Sequence, residues 1–553
     1  MNVNKENRYV STVETTTKRL NRFYQPHGLH TTFDSGKLIP IYLKEVLPND
    51  VRKLKWSAVT RLLTPKFPTM DNAKLDTFFF YVRNRDVWDH WQEFCGYSKT
   101  AWTPTVDYSV PQLILPTSIK NGARRYVGDL ADYLGIPVNE LSPAGRISVS
   151  ALPFRAVCKI WNDYFRDENY QDELYYPTDE SVVYYSPYNS SQSLVNQVYK
   201  GCVCPPICRT MDYFSGCLPS PQKGEAVSLP LGQYAPIVNG SLSDSGADFI
   251  LKRKTAGTVE GAYYNLLVSG EITANEVKPA ATGSTSIAPA ADGFKQYLRA
   301  DLTNATAASV NALRIAFQTQ RFLEQSARGG TRYVELLQSM FGVTCPDLMM
   351  NRAEFLGGKS FPLSLTPVTN TAENLGAVGG MSSTVSGDYA FKKHFTEHGY
   401  IIGFAAVRTD RSYSQGYEPL WTRKERTDFY YPVFSHIGEQ PVYLKEIYAT
   451  DSVSSNDIVW GYKEAWTEYR ISMNKCSGYM RSGITKTLNS WTYTDEYVAP
   501  PVLNSAWLTY QKEIIDRTIT NPNEHQFIAD FYFDDTLYSV VSKNSAPGLI
   551  DHY

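Results

Sequence analysis

The chain has 553 residues, a formal net charge of −2, 42% hydrophobic and 20% charged side chains, and 13% aromatics led by 39 Tyr. Near-neutrality excludes a strongly basic whole-chain footprint for nucleic acid, while the length allows three or four domains or one large β domain with insertions. The most apolar run, YIIGFAAV at 400–407, is far below the roughly 20 residues a membrane-spanning helix needs, so no membrane insertion is expected. The Tyr-rich, charge-poor profile favours sheets and broad contact surfaces over a solvated helical protein. The N-terminus lacks the apolar core of a secretory signal. Eight cysteines without one argue for reduced thiols and intracellular folding.

Residues 1–25 are polar, with Lys5, Arg8, Lys18, Arg19 and Arg22 offset by Glu6 and Glu14. They read as an extended arm pinned at assembly; the sharper alternative is an inward arm touching nucleic-acid phosphates. In 27–46, Leu38, Ile39, Ile41, Leu43 and Val46 alternate with polar residues, which predicts a strand and then a turn at Pro48-Asn49-Asp50. The continuous apolar run LDTFFFYV at 75–82 suits a strand buried on both faces.

Asn84 can cap a short helix that aligns Val87, Trp88, Trp91, Phe94 and Cys95 on one side. Large aromatics at that spacing are core or interface anchors, not a cofactor box. A second helix is predicted over 154–170, aligning Ile160, Trp161, Tyr164 and Phe165. Its Asp163, Asp167 and Glu168 fall among Arg155, Lys159 and Arg166, which reads as a salt-bridged exposed face rather than paired catalytic acids. Cys202, Cys204, Cys208 and Cys217 form the one metal-like cluster, but Pro205-Pro206 interrupts it and the spacing is not that of paired zinc ligands. Loop or core thiols are the reading, with zinc the alternative. No cofactor is expected.

From 225 to 308 the texture turns to Ala, Ser, Thr, Gly and Pro, with short strand-like runs at 249–252 and 262–269. A polar segment of this length sits at the surface, and the apolar runs argue against a plain disordered linker. The stretch 309–358 then predicts a helical hairpin. Ser309 caps the first helix, with Leu313, Ala316, Phe317, Gln320 and Leu323 on one stripe, and Gly329-Gly330 stops it. Thr331 caps the second, with Tyr333, Leu336, Leu337, Met340 and Phe341 inward. The hairpin carries no nucleophile, base or ligand set and reads as scaffold; Phe317, as a core residue, should cost about 3–5 kcal/mol on truncation to Ala.

Gly357-Gly358-Lys359-Ser360 is similar to the tail of a phosphate-binding loop, but Ala353 stands where that loop needs glycine. His394 and His398 enclose Glu397, but a zinc protease needs Glu directly after the first His, where Phe395 stands. HGYIIGFAAVR at 398–408 reads as a strand. Further on, Trp421, Arg423, Arg426 and Tyr430 mix Arg with aromatics, a pattern shared by protein interfaces and nucleic-acid stacking platforms. Hydrophobic strands between long loops, with few helices, add up to a mainly β protein, a β-sandwich with large insertions.

Several of these stretches carry a resemblance. NALRIAFQTQRFLEQSARGGTRY at 311–333, FGVTCPD at 341–347, the MDN–FFF–VW–W–F series from Met70 to Phe94, DYFSGCLPSPQKG at 212–224, HGYIIGFAAVR, WTRKERTDFYYPVF at 421–434, IGEQ, GYKEAWTEYR, SGYMRS and the terminal PGLIDH are the stretches concerned. The series resembles the major capsid protein family of the Microviridae, small single-stranded DNA phages, and within it the gokushovirus branch. Arg83, where the family commonly has Pro, and 539–545 depart from the pattern.

The resemblance implies an eight-stranded viral jelly roll that self-assembles into a T=1 icosahedral shell around a circular single-stranded DNA genome. It implies an internal scaffolding protein, a DNA pilot protein and a small basic DNA-packaging protein as partners, with the virion as final location and the bacterial cytoplasm as the place of assembly. The chain then divides into an N-terminal arm (1–25), a first part of the core (26–224), a variable insertion (225–308) and a hairpin with the rest of the core (309–553). The insertion would form threefold protrusions that meet an unknown host surface receptor, with Asp244, Tyr263 and Tyr264 as contact candidates. Arg8, Lys18, Arg19 and Arg22 are the DNA-facing candidates. Trp88, Trp91, Trp161, Trp421, Arg423, Arg426 and Tyr430 are the interface or stacking candidates. The other reading is a carbohydrate-binding or carbohydrate-active jelly roll. The first should carry a secretory signal, and the second needs two carboxylates standing apart from basic neighbours.

Overall fold

The computed structural model describes residues 19–544 apart from 99–107, 118–125, 140–144, 187–195 and 370–377 and, within 226–309, all but 227, 237–239, 252–254, 263–265 and 298–300. In chain order the central strands are β1 (Asn21–Tyr24), β2 (His27–Phe33), β3 (Ile39–Val46), β4 (Val51–Leu62), β5 (Ala73–Arg83), β6 (Glu354–Leu363), β7 (Thr384–His394), β8 (Gly399–Thr409) and β9 (Phe527–Ser539). They make two antiparallel sheets. In the first, β1 and β2 follow one another along one edge of β9, whose other edge pairs with β4, and β7 ends the row. In the second the order is β6-β5-β8-β3. The protein is mainly β, with the two sheets face to face and helices confined to the connections between strands.

Period-two alternation decides which sheet is wet. In β4, Arg52, Leu54, Trp56, Ala58 and Thr60 are buried while Lys53, Lys55, Ser57 and Arg61 are exposed. In β9, Phe527, Ala529, Phe531 and Phe533 point inward, and Ile528, Asp530 and Tyr532 outward. The inner faces meet through aromatic rings: Tyr42 lies 5.2 Å from Phe533, Trp56 5.5 Å from Phe361, and Phe79 6.1 Å from Phe391. Each such side chain contributes about 1.5–3 kcal/mol when buried, so apolar burial between the sheets supplies most of the cohesion.

In the second sheet β5 and β8 are buried on both faces, as the unbroken apolar run of β5 predicts, while the edge strand β6 is largely exposed. The outer face of β5 is covered by α1 (Leu152–Ile160) and the π-helical turn Trp161–Phe165, which sets Phe165 5.1 Å from Phe78 and Tyr164 4.8 Å from Phe80. The single helix expected over 154–170 therefore ends early. The Arg166 amide bonds the Trp161 carbonyl at 3.0 Å, and extended backbone follows. The expected exposed acidic face is corrected too. Asp163 is partly buried and accepts the Ala353 amide at 2.9 Å, and Glu168 pairs with Arg332 at 2.5 Å. Asp163 is paired with its neighbour Lys159 at 3.5 Å and Glu168 with the distant Arg332, and the two acids tie this segment to 331–353.

Other expectations are corrected by tertiary context. Residues 27–46 form two strands, because the chain turns at Gly36, whose φ of +80° and approach to the Tyr510 carbonyl exclude a side chain. Of the arm at 1–25, Asn21–Tyr24 is a strand of the first sheet. Asn84 starts a single 3₁₀ turn, separate from the helix Trp91–Phe94. Gly357-Gly358-Lys359-Ser360 lies within β6 beside β5, where a Cβ on Gly358 would meet the Thr77 carbonyl at 2.6 Å.

The chain divides into two compact units, Met1–Lys223 with Glu324–Tyr553, and Gly224–Leu323. In the second unit Lys252–Lys254 pairs with Tyr263–Asn265, and Leu298–Ala300 with Ile237–Asn239. The helices of the hairpin are α2 (Val310–Arg328) and α3 (Tyr333–Phe341), separated by Gly329 and Gly330 (φ +87°). Ser309 lies outside the described residues. Thr331 does not cap α3. Its amide and hydroxyl, and the Arg332 amide, all go to the Glu168 carboxylate, and Arg332 is the cap residue.

Phe317 is 63% exposed, and Tyr333 and Phe341 are exposed as well, whereas Leu313, Leu323, Leu336, Leu337 and Met340 are half-buried, so each apolar stripe is covered only in part. Helical period fixes which residues share a face but not what covers it. Phe317→Ala should therefore change the unfolding free energy of the isolated chain by less than about 1 kcal/mol, a quantity read by urea denaturation; a loss of about 3 kcal/mol, the cost of a core truncation, would return the ring to the interior.

Candidate assembly surface

Between β8 and β9 the chain runs through more than a hundred residues, mostly of turns and short 3₁₀ segments, on a core of its own. Phe214, Tyr413, Trp460 and Trp507 pack edge to face there. Beside them Asp495 is buried between two cations: Arg209 Nη1 at 2.5 Å and Arg411 Nη1 at 2.7 Å, with the Tyr497 hydroxyl donating at 2.6 Å. The flanking guanidinium groups hold the Asp495 carboxyl below its ordinary range against the opposing effect of burial. Each guanidinium also stacks, Arg209 on Trp507 at 4.2 Å and Arg411 on Tyr510 at 4.5 Å. This network fixes irregular backbone that has few ladder hydrogen bonds of its own.

On that base sits an exposed aromatic ridge. The turn Pro419–Trp421 projects Trp421, which is 75% exposed. Arg423 is held by Glu468 at 3.0 Å and stacked on Tyr469 at 4.6 Å, so it positions its neighbours more than it offers a free charge. The next turn, Arg426–Asp428, is closed by a capping box in which Asp428 accepts the Lys424 and Glu425 amides at 2.8 and 2.9 Å. Those bonds hold the Asp428 carboxyl below its usual value. Arg426 is exposed and lies 5.8 Å over Tyr431. Tyr430, also exposed, stands edge-on to Trp466 at 5.6 Å. Trp466 takes a positive φ of 65° and donates its indole N–H to the Phe434 carbonyl at 3.0 Å, a strained conformation for so large a residue. Leu420, Phe429, Val433 and Ile437 are exposed along the same ridge.

The remaining tryptophans separate from this group. Trp88 and Trp161 are enclosed, with indole N–H groups donating to Glu180 Oε1 at 2.7 Å and the Pro206 carbonyl at 2.8 Å, so they are core residues and out of reach of a neighbouring molecule. Trp91 is half-buried against His398. Arg19 and Arg22 are exposed; Arg8, Lys18 and Asp244 lie outside the described residues, and of Tyr263 and Tyr264 only their place in a short strand is described. Cys202, Cys204 and Cys217 are buried and in no disulfide, and burial pushes Cys217 up to about 12 and Cys208 up to about 11. Among the described residues no three His, Cys, Asp or Glu side chains converge as metal ligands, and no helix is long and apolar enough to cross a membrane. Sequence reasoning missed Trp466, Tyr469 and the Arg209–Asp495–Arg411 network, whose members are far apart in the chain and carry no local signal.

A chain with this surface matches the family model described as Capsid protein (F protein) over residues 11–549. It belongs to that capsid protein family. Among curated proteins it is 33% identical to Capsid protein VP1 of Chlamydia phage 1, with 98% of each chain covered. It is likewise 33% identical to Capsid protein VP1 of Bdellovibrio phage phiMH2K, over 95% of this chain and 94% of that one, and of Spiroplasma virus 4, over 96% and 95%. The motif resemblance to the gokushovirus branch of the Microviridae is thus borne out. A member of this family is a structural, non-enzymatic protein of the virion that assembles into a shell, and the exposed aromatic ridge is the kind of surface that such work requires.

Proposed function

We propose that the chain self-assembles into a T=1 icosahedral shell enclosing a circular single-stranded DNA genome, and that its two central sheets are the halves of an eight-position jelly roll. The strand path supports the second point. β2, β4, β7 and β9 lie in one sheet and β3, β5, β6 and β8 in the other, in the orders β2-β9-β4-β7 and β3-β8-β5-β6. The chain thus crosses repeatedly between the sheets and pairs early strands with late ones, as two nested Greek keys do. The observation that carries the assembly reading is the ridge around Trp421, where large apolar side chains stand in solvent on backbone fixed by buried ion pairs. Closed shells need permanent interfaces of upwards of about 2,000 Å², and rigid aromatic side chains supply their anchors at low entropic cost.

In this reading the scaffolding protein, the pilot protein and the small basic packaging protein meet the shell during assembly in the bacterial cytoplasm. The near-neutral chain suits that division of labour, because the basic partner neutralises phosphates. The insertion 225–308 forms a protrusion that meets the host receptor.

Negative-stain microscopy and light scattering of the expressed chain test this together. The chain should form closed hollow particles, Trp421→Ala should lose them while remaining folded, and removal of 225–308 should leave particles that no longer attach to host cells. A monomer at every concentration, or a Trp421→Ala chain that assembles normally, would sink the assignment of the ridge.

A further inference from the structure

We propose that the outer face of the first sheet is a platform for single-stranded nucleic acid. This deepens the shell reading by naming a surface that meets the genome, and it rests on that reading for its biological occupant. The alternation that buries Arg52, Leu54 and Trp56 turns Lys53, Lys55 and Arg61 to the opposite side. Register then sets Lys392 beside Lys53, Tyr389 beside Lys55, Tyr24 across Thr536 from Lys53, and Arg22 beside Tyr538.

Arg22, Lys53, Lys55, Arg61 and Lys392 are all exposed, and among the described residues none forms an ion pair. The acids of the same face are Asp530, which is paired with His30 at 3.1 Å, and Asp534. Five basic side chains against two acids leave a local excess of positive charge on a chain whose net charge is −2. Basic residues on a folded surface are ordinarily interspersed with acids, so this excess marks a face suited to an anionic partner.

The tyrosines narrow the partner. Tyr24, Tyr389 and Tyr532 are 58%, 46% and 48% exposed on this face, and Lys53 Nζ lies 5.9 Å from the Tyr389 ring centroid. The five-stranded face is broader than the two-stranded ribbon that a major groove admits, and a duplex keeps its bases stacked on one another. Unpaired bases, by contrast, lie on aromatic rings while neighbouring cations follow the phosphates.

The test is fluorescence anisotropy of a labelled oligo(dT) of about 20 nucleotides with the full chain across a salt series. Replacing Lys53, Lys55 and Lys392 by Gln should make the slope of log K against log salt shallower by about 2, at about 0.7 for each single-strand phosphate that is no longer neutralised. Tyr389→Ala with Tyr532→Ala should weaken binding about tenfold or more at an unchanged slope, and Tyr532→Phe, which keeps the ring, should bind like the parent. Thermal midpoints of all variants should match the parent, since every change is on the surface. Oligonucleotide binding that is absent, indifferent to the lysines or the rings, matched by a duplex of the same length, or displaced by an acidic peptide would each overturn the platform. Particle formation by the same samples separates the two readings: particles with undiminished binding in the variants remove the platform and leave the shell, whereas no particles with variant-sensitive binding remove the shell and leave the platform.

Discussion

Asp535→Ala is expected to lower the unfolding free energy of the isolated chain by about 3–5 kcal/mol, the largest single-residue effect in the sandwich. Asp535 lies on β9 with its side chain wholly inside, where Arg52 Nη1 of β4 donates at 2.5 Å and the Tyr42 hydroxyl of β3 donates at 2.8 Å. One carboxylate therefore joins the two sheets. Arg52 is itself 4% exposed, so removing its partner leaves a guanidinium in a medium where neither water nor another anion reaches it. Burial already drives the Tyr42 hydroxyl far above its ordinary pKa, so it cannot take over as the anion. The cost is that of an orphaned charge, not the net value of the pair. Replacing Arg52 and Asp535 together by Met and Leu should then recover most of the loss, because apolar isosteres of buried ion pairs are often neutral or better. Urea denaturation of the single and double variants measures this. A single-variant loss under about 1 kcal/mol, the range of an exposed pair, would mean that water enters between the sheets.

The second large effect depends on pH. Glu446 is buried beneath the ridge, accepting the Tyr443 amide and the Tyr213 hydroxyl, each at 2.9 Å. Burial first, with the nearby Glu468 adding repulsion, pushes its carboxyl up to about 7 from an ordinary 4.5, in spite of those two hydrogen bonds. A carboxyl raised in the folded state binds more protons folded than unfolded, so its stabilising contribution is full below about 4.5 and lost as pH rises to about 7. At about 1.4 kcal/mol per pH unit, that window is worth about 3 kcal/mol. Glu446→Gln keeps an oxygen for the Tyr443 amide and has no charge to bury. The stability of the parent relative to this variant should fall by about 3 kcal/mol between about pH 4.5 and about pH 8, measured by urea unfolding at the two pH values. An unchanged difference would show that Glu446 stays ionised or exchanges with solvent. Comparison with the variant isolates this group from carboxylates with the opposite dependence, of which Asp495 is one.

Local pattern and tertiary context divide the work unevenly. The alternating residues of β3, the apolar run of β5 and the strand at β8 were legible because a strand's two faces are written directly in its sequence. The glycine stop of α2 was legible for an equally local reason, since a left-handed residue ends a helix wherever the rest of the chain lies. The ridge was half legible: Trp421, Arg426 and Tyr430 could be named from composition, but their posture depends on Trp466 and Tyr469, more than thirty residues on. Trp88 and Trp161 could not be told from Trp421 in the sequence, because an aromatic side chain suits a core and an interface equally well.

The strand periods by themselves determined a mainly β protein, and the ordered motifs, through their resemblance to the capsid family, pointed to its structural role. Tertiary structure alone decided that Phe317 stands in solvent, that Thr331 gives its hydroxyl to Glu168, and that Asp535 meets Arg52 inside the sandwich. Those outcomes turn on which distant surface arrives to cover a side chain, and hydrophobic burial has no direction that a local pattern can record.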